Sequence, residues 1–437
     1  MCRDVTAALI ALLAFFWALR TRLRAGRRPV VVSPVVNHGG MHRIDVAERR
    51  RRLAVRHALA PAHRVDGTPP DPAQVARQLV ALHSTDPATV YLSVLARVAA
   101  PVPARVIEES LYERRDLVRM LAMRRTVFVV PAESVAVVQA STTDRIAQDQ
   151  RARLLKLLGE AASVANPEPW LADVERSVLG VLAEQAGTST AAELSAAEPR
   201  LKTTLVVAPG KSYQATQAIT SRVLLVLAAQ GRIVRGRPIG TWLSQQYRWV
   251  LAERWLREDA AETGAVAART ELARQWLAAF GPAPLADLKW WTGWTMTDVR
   301  RAVADVGAVE VDLGGGTGAA LPGDLGVTND PGDWVALLPA LDPTVMGWSD
   351  RSWFLGPHGE ALFDTNGNAG PTVWLNGRIV GGWAQRADGA IAIRLLEDVG
   401  GDAKALIDAE SERVRTWLAG VRVIPRFRTP TERELCA

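Results

Sequence analysis

Along most of this chain apolar positions recur at helical spacing in short blocks, and several blocks end in a run of β-branched and aromatic residues. The first block, 45–59 (DVAERRRRLAVRHAL), predicts a helix with Asp45 as N-cap and Glu48 three residues on. Val46, Leu53 and Val55 form one stripe beside a face of arginines. After the loop DGTPPDP, Asp71 and Pro72 supply an N-cap and a first-turn proline for a helix over 72–82. Further helices are expected over 87–98 and 103–125, the last running into TVFVVP (126–131), which suits a strand. Helices followed by a strand give the outline of a winged-helix module, here with one helix extra.

The order recurs. NPEP (166–169) precedes a helix over 170–187, a short helix opened by the capping box Thr190 to Glu193, and a helix over 214–230. RIVRGRPIGTW then predicts a hairpin wing turning around Gly236-Arg237-Pro238. A third unit starts near 270, turns at Gly281-Pro282-Ala283-Pro284, and continues through 285–291 and 296–306 to a strand over 309–313. Beyond Asn329-Asp330-Pro331-Gly332 the helical period gives way to extended runs: VALLPAL, SWFLG, TVWLNGRIVGGW and AIAIRLL. A helix over 403–418 and a last strand over 421–424 follow. The expected fold is α+β, mainly α: winged-helix modules at 41–165, 166–262 and 263–328, then a small β-rich domain at 329–437.

Residues 1–40 stand apart. VTAALIALLAFFWAL is apolar and is followed by Arg20, Arg22, Arg24, Arg27 and Arg28. It is short for a spanning helix, which needs about 20 residues, and its charge lies on the wrong side for a signal peptide. A start codon assigned too early is favoured here over a membrane anchor, which would make the protein a membrane-tethered adaptor. This leader changes how the charge reads: of the net +6, residues 1–40 hold +5 from six Arg against one Asp. Residues 41–260 carry 30 Lys/Arg against 22 Asp/Glu, and 261–437 carry 16 against 23. A basic first half and acidic second half place any polyanion on the first half.

Chemistry-bearing motifs are few. The two cysteines, Cys2 and Cys436, lie at opposite ends, so no zinc cluster or disulfide framework is expected and a reducing, cytoplasmic compartment is the default, with nucleoid association expected only if the chain binds DNA. No histidines are paired at metal-ligand spacing, so no metal is expected, and no cofactor motif holds up. Gly210-Lys211-Ser212 has Leu205 where a phosphate loop needs its first glycine, and the glycines at 314–316 and 318 precede no helix. What remains is Leu82-His83-Ser84-Thr85-Asp86-Pro87 between two apolar helices. As a plain joint, Asp86 caps the next helix and His83 satisfies a backbone carbonyl. As a site, His83, Thr85 and Asp86 open toward a cleft.

The strings RQLVALHSTDPATVYLSVLARV and LYERRDLVRMLAMRRTVFVVP resemble the winged-helix DNA glycosylases of the AlkZ and YcaQ type, which excise alkylated bases and unhook interstrand crosslinks. The likeness extends from about 45 to 424. In the tail it includes Asp342, Pro343, Asp350, Arg351, Gly377, Gly381 and Trp383. The resemblance implies three tandem winged helices around a cleft, a β-domain, and double-stranded DNA as partner, with a monomer expected. The family's motif of Gln, an apolar residue, then Gln or Asp falls on His83-Ser84-Thr85, which departs from it at every position. The resemblance therefore leaves His83 to accept from a water, Thr85 to hold it, and Asp86 to supply a carboxylate. The competing reading is a DNA-binding or regulatory protein that kept the scaffold and lost catalysis. DNA contacts are expected from Arg49, Arg50, Arg51 and Arg52, from Arg124 and Arg125, and from the wing residues Arg232, Arg235 and Arg237.

Overall fold

The computed structural model describes residues 41–160, 164–184, 187–207, 215–256 and 263–437. The apolar leader, Gly210-Lys211-Ser212 and the expected helix start at Gln214 lie outside them.

In the first unit the helix Val46–Arg56 begins where expected, Asp45 accepting the Glu48 amide at 2.8 Å. The second helix is shorter, Pro72–Gln78. Val80 takes φ 64 and the chain straightens into strand β1, Leu82–His83. The helix expected over 103–125 also divides, into Ala104–Glu108, a wider turn at Glu109–Glu113, and β2, Leu117–Ala122. Five of the six residues of β2 are buried, Arg119 among them, so both strand faces are covered and nothing in the periodicity separates the run from a buried helix. With β3, Thr126–Pro131, these form an antiparallel sheet in the order β1-β3-β2.

The second unit holds helices Pro167–Glu184, Ala191–Ala197 and Thr220–Ala229. Its sheet runs β4 (Thr188–Ser189), β8 (Tyr247–Leu251), β7 (Ile233–Pro238), and β5 (Thr204–Val207) pairs separately with β6 (Ala215–Ala218). The helix expected over 214–230 therefore starts at Thr220, because 215–218 is held in a ladder. Gly236-Arg237-Pro238 is not a turn. It lies within β7 at an irregularity between Arg235 and Pro238, and the connection to β8 comes later.

The third unit is Ala265–Phe280, Leu285–Thr292, Met296–Asp305 and the hairpin of β9 (Val309–Asp312) and β10 (Thr317–Ala320), turned by the glycine-rich 313–316. The tail holds a sheet of β11 (Val335–Leu338), β12 (Thr372–Leu375), β13 (Arg378–Gln385) and β14 (Ile391–Leu395) in sequence order, beside the helix Gly401–Leu418. Asn376 and Gly377 turn β12 into β13 at φ 48 and 85, the left-handed pair that a two-residue hairpin requires. Two expectations fail here. SWFLG contains the helix Ser352–Leu355, and 421–424 is not a strand, because the Gln385 side chain takes the place of a ladder: its Nε2 donates to the Val421 carbonyl at 3.0 Å and its Oε1 accepts the Val423 amide at 2.7 Å.

The segments share cores. One cluster joins Leu53, Met123 and Phe128 to Trp276, Phe280 and Trp291 and to Trp334, Trp348 and Trp374. The first helix is thus packed into the second half of the chain. A polar knot reinforces this: Arg97 and Asp342, both 0% exposed, meet at 2.7 Å. The Arg97 guanidinium also donates to the Ser93 carbonyl at 2.9 Å and to Thr344 Oγ1 at 2.7 Å. His57 completes the knot, its Nε2–H donating to the Ala279 carbonyl at 3.1 Å and its Nδ1 accepting from the Thr344 hydroxyl at 2.8 Å.

Candidate functional site

Alternation along β1 sends His83 and Ser84 to opposite faces of the first sheet. His83 is opposite Phe128 in the register, with ring centroids 5.1 Å apart. It is 5% exposed, and its Nδ1 is buried without a hydrogen-bond partner. Burial, then the positive charge of Arg124, pushes its pKa down to about 3, so the imidazole is neutral.

The next residues are engaged on the other face. Ser84 Oγ accepts from Arg119 Nε at 2.8 Å, and Arg119 also donates to the Tyr112 hydroxyl at 2.9 Å. The Thr85 carbonyl accepts from Arg426 Nη1 at 3.3 Å. Asp86 Oδ1 caps the helix Pro87–Leu95 through the Ala88 amide at 3.1 Å, and Oδ2 accepts the Arg426 amide at 2.9 Å. Burial raises the Asp86 pKa against these bonds. Both carboxylate oxygens are committed, so the structure uses Asp86 as a cap and as an anchor for the C-terminal segment, not as a reacting group beside His83.

The arginines expected on phosphate fall into three groups. Those of the first helix largely turn inward, where the arginine face was expected to contact DNA. Arg52, 2% exposed, donates to Glu48 Oε1 at 2.7 Å and to the Asp324 and Gly326 carbonyls at 2.9 and 2.7 Å. Arg50 Nε donates to the Trp353 carbonyl at 3.1 Å, over Gly377, where a Cβ would stand 2.5 Å from the Cβ of Arg50. Arg51 pairs with Glu48 at 3.0 Å. Arg50 and Arg52 fasten the helix to the second half of the chain, while the Arg51 pair stays within the helix. In the β7–β8 hairpin, Arg237 pairs with Glu113 at 2.6 Å, while Arg235 lies 5.7 and 5.5 Å from the Tyr247 and Trp249 rings and Arg232 is exposed. Arg125 is half-buried beside Arg153 and Asp149.

The third group converges with residues the sequence reading did not assemble. Arg124 and Arg125 turn β2 into β3 with φ 54 and 59. Side chains with a Cβ pay about 1–2 kcal/mol each for that left-handed conformation. Arg124 lies 3.8 Å over Trp290, and Arg351 lies 5.2 Å from the same ring. Gly293, at φ 79, ends the Leu285–Thr292 helix and lets its backbone approach Arg124, whose Cγ would be 3.6 Å from a Cβ there. Arg49 lies 4.1 Å over Trp353. Among the described residues none of these three guanidiniums is ion-paired with a carboxylate, and burial brings the pKa of each down to about 10. Below them Asp287, 2% exposed, accepts the Ser349 and Asp350 amides on Oδ1 at 2.9 and 3.0 Å, while its Oδ2 has no partner. Burial raises its pKa. Arg351 was legible through the family resemblance. Asp287 and Trp290 sit in an ordinary amphipathic helix, and the adjacent Trp290-Trp291 pair was the one available signal.

Residues 76–417 match the family described as DNA glycosylase AlkZ-like. The chain belongs to that family. The fold agrees: the structure of Streptomyces sahachiroi DNA glycosylase AlkZ superposes with a TM-score of 0.67 at 20% identity, over 88% of this chain and 99% of that one. No curated protein sequence matches. Among the described residues of this AlkZ-like chain there is no group of three His, Cys, Asp or Glu arranged to hold a metal ion, and no helix is long and apolar enough to cross a membrane.

Proposed function

We propose that this AlkZ-like protein is a monofunctional DNA glycosylase that hydrolyses the N-glycosyl bond of alkylated or crosslinked bases in double-stranded DNA. The scaffold is read as three tandem winged helices, about 41–165, 166–262 and 263–328, with the β-rich domain at 329–437. The observation that carries the reaction is His83: a neutral imidazole, with no hydrogen bond to the protein, at the position of the family motif. Its nitrogen lone pair accepts from a water that attacks C1′. The C1′–N bond breaks, the cationic alkylated base leaves as a neutral base, and the water's proton passes through the imidazole to solvent. A leaving group that starts with a positive charge lowers the demand on the site. Thr85, at the bend after β1, is the proposed second contact to that water. Arg125 and Arg232 are the proposed general phosphate contacts.

The test is release of free base from a duplex containing N7-methylguanine. Wild type releases 7-methylguanine and His83→Ala loses about 100-fold or more in rate, the scale of general-base assistance. The departure of His83-Ser84-Thr85 from the family pattern favours a second reading, a DNA-binding protein without turnover. Tight binding with no release by wild type establishes that reading and removes the first.

A further inference from the structure

We propose that Arg124 and Arg351, placed about Trp290 where the β2–β3 turn meets the Leu285–Thr292 helix and the segment after β11, form a clamp for one backbone phosphate of the DNA. The identity of the anion as a DNA phosphate rests on the glycosylase reading; the existence of an anion site does not.

Three independent observations lead there. The first is missing charge. Two neighbouring guanidiniums drawn out of water need an anion, and the protein does not supply one at contact distance. Arg124 makes no hydrogen bond to any described residue and its Nε is buried unpaired. Arg351 spends its donors on the Val345 carbonyl at 3.0 Å and the sulfur of Met346 at 3.7 Å, neither of them charged. Asp287, beneath them, has its Oδ1 taken by two amides and is not ion-paired with either arginine. The second is backbone cost. In the three-residue connection Met123–Arg125, closed by the Ala122–Thr126 pair, Arg124 and Arg125 both hold positive φ, a conformation that glycine or asparagine takes at less cost, and this chain keeps two arginines there. The third is access and shape. Arg124, Trp290 and Arg351 are all partly exposed, so a strand can reach them, and the Arg124 fork over the indole, with Arg351 between the Trp290 and Phe363 rings, is held ready for phosphate oxygens.

The clamp also fixes where that phosphate belongs. Arg124 stands in the turn that enters β3, four residues before Phe128, the residue opposite His83, so a phosphate held by Arg124 lies beside the nucleotide whose sugar faces the imidazole. The clamp thereby positions the scissile nucleotide and is distinct from the general phosphate contacts proposed for Arg125 and Arg232.

The experiment is anisotropy titration of a labelled duplex containing a tetrahydrofuran abasic analogue, from low to moderate salt, using the full chain. The proteins are wild type, Arg124→Gln, Arg351→Lys, and Arg124→Gln with Arg351→Gln. Arg124→Gln is expected to weaken binding about tenfold at low salt and to reduce the salt slope by about one. The double variant loses no more slope, because both arginines serve one phosphate. Arg351→Lys keeps the slope and loses affinity, because the charge remains and the fork does not. Melting curves guard against misfolding: a clamp predicts that Arg124→Gln melts at or above the wild-type temperature, whereas an arginine that is only a structural staple on Trp290 predicts a lower one. An unchanged slope in Arg124→Gln, or a loss of two in the double variant, overturns the single-phosphate clamp. If wild type does not hold the duplex, phosphorus NMR of inorganic phosphate decides. Broadening by wild type but not by Arg124→Gln keeps the anion site and discards the DNA reading, and equal broadening by both overturns the site.

Discussion

Two arginine settings in this protein differ in one respect, and the difference separates architecture from function. At Arg97 the charge is fully buried and answered: Asp342 meets it through both carboxylate oxygens, at 2.9 and 2.7 Å, while Ser93 Oγ and the Thr344 amide hold those same oxygens at 2.7 and 2.9 Å. At Arg124 and Arg351 burial has been incurred and no carboxylate meets either guanidinium at contact distance, the Asp287 charge acting on Arg351 only through space. The first setting ties the helix Pro87–Leu95 and the Arg97 just beyond it to the segment after β11, and its counter-charge lies within the fold even though the Arg97 Nε has no partner. The second is complete only with something from outside.

The sharpest way to break the comparison is to make the first setting resemble the second. Asp342→Ala leaves Arg97 buried and unanswered and also removes the cap on Pro343–Met346. A loss of about 3–5 kcal/mol in unfolding free energy is expected, measured by urea denaturation. Pairing it with Arg97→Met should recover much of that loss, because an apolar side chain of similar size does not need the anion. A loss below about 1 kcal/mol for Asp342→Ala would mean that water reaches Arg97 and that the two settings are alike.

Acid provides a smaller and more gradual test. His57, in the first setting, and His83, near the second, both have pKa values pushed down to about 3 by burial and neighbouring arginines. In the unfolded chain each binds its proton near pH 6.5, so between there and about pH 3 the unfolded state holds more protons. Stability is then fully present above about 6.5 and falls as pH drops, by about 1.4 kcal/mol per unit for each histidine once pH is well below 6.5. Asp86 and Asp287, whose pKa values are raised, oppose this trend only at the acid end. His83→Gln should halve the slope between pH 6 and 5. A slope unaffected by that change would show that His83 is protonated in the native state and cannot act as an acceptor.

What the sequence disclosed follows the same division. Helix starts were legible where one side chain satisfies a nearby amide, and Asp45, Asp71, Asp86 and Thr190 each cap the helix expected of them. Strands buried on both faces were not, and β2 was read as helix because LVRMLA has no alternation to betray it. The candidate site was legible as far as His83, on β1, and Arg124, in the turn that leads into the neighbouring strand β3. The rest of it, Asp287, Trp290 and Arg351, comes from distant segments that only the tertiary packing unites. Charge counts misled in a related way: the run Arg49 to Arg52 has the composition of a polyanion-binding face, yet most of it is engaged by carbonyls and a carboxylate inside the protein.

The smallest expected effect on stability has the opposite sign from that of Asp342→Ala, and for that reason it discriminates best. Arg124→Gly removes a partly buried cation that has no partner and relieves a left-handed residue at the β2–β3 turn. Glycine ordinarily lowers stability through its flexibility, but at φ 54 that cost is offset by the strain released, about 1 kcal/mol. The variant should therefore unfold at the same or slightly higher urea concentration than wild type while binding duplex DNA more weakly. A residue kept for packing over Trp290 would lose stability and binding together. A residue kept for an external anion loses binding alone, and the strained turn then reads as stability given up to hold Arg124 over Trp290 beside Arg351.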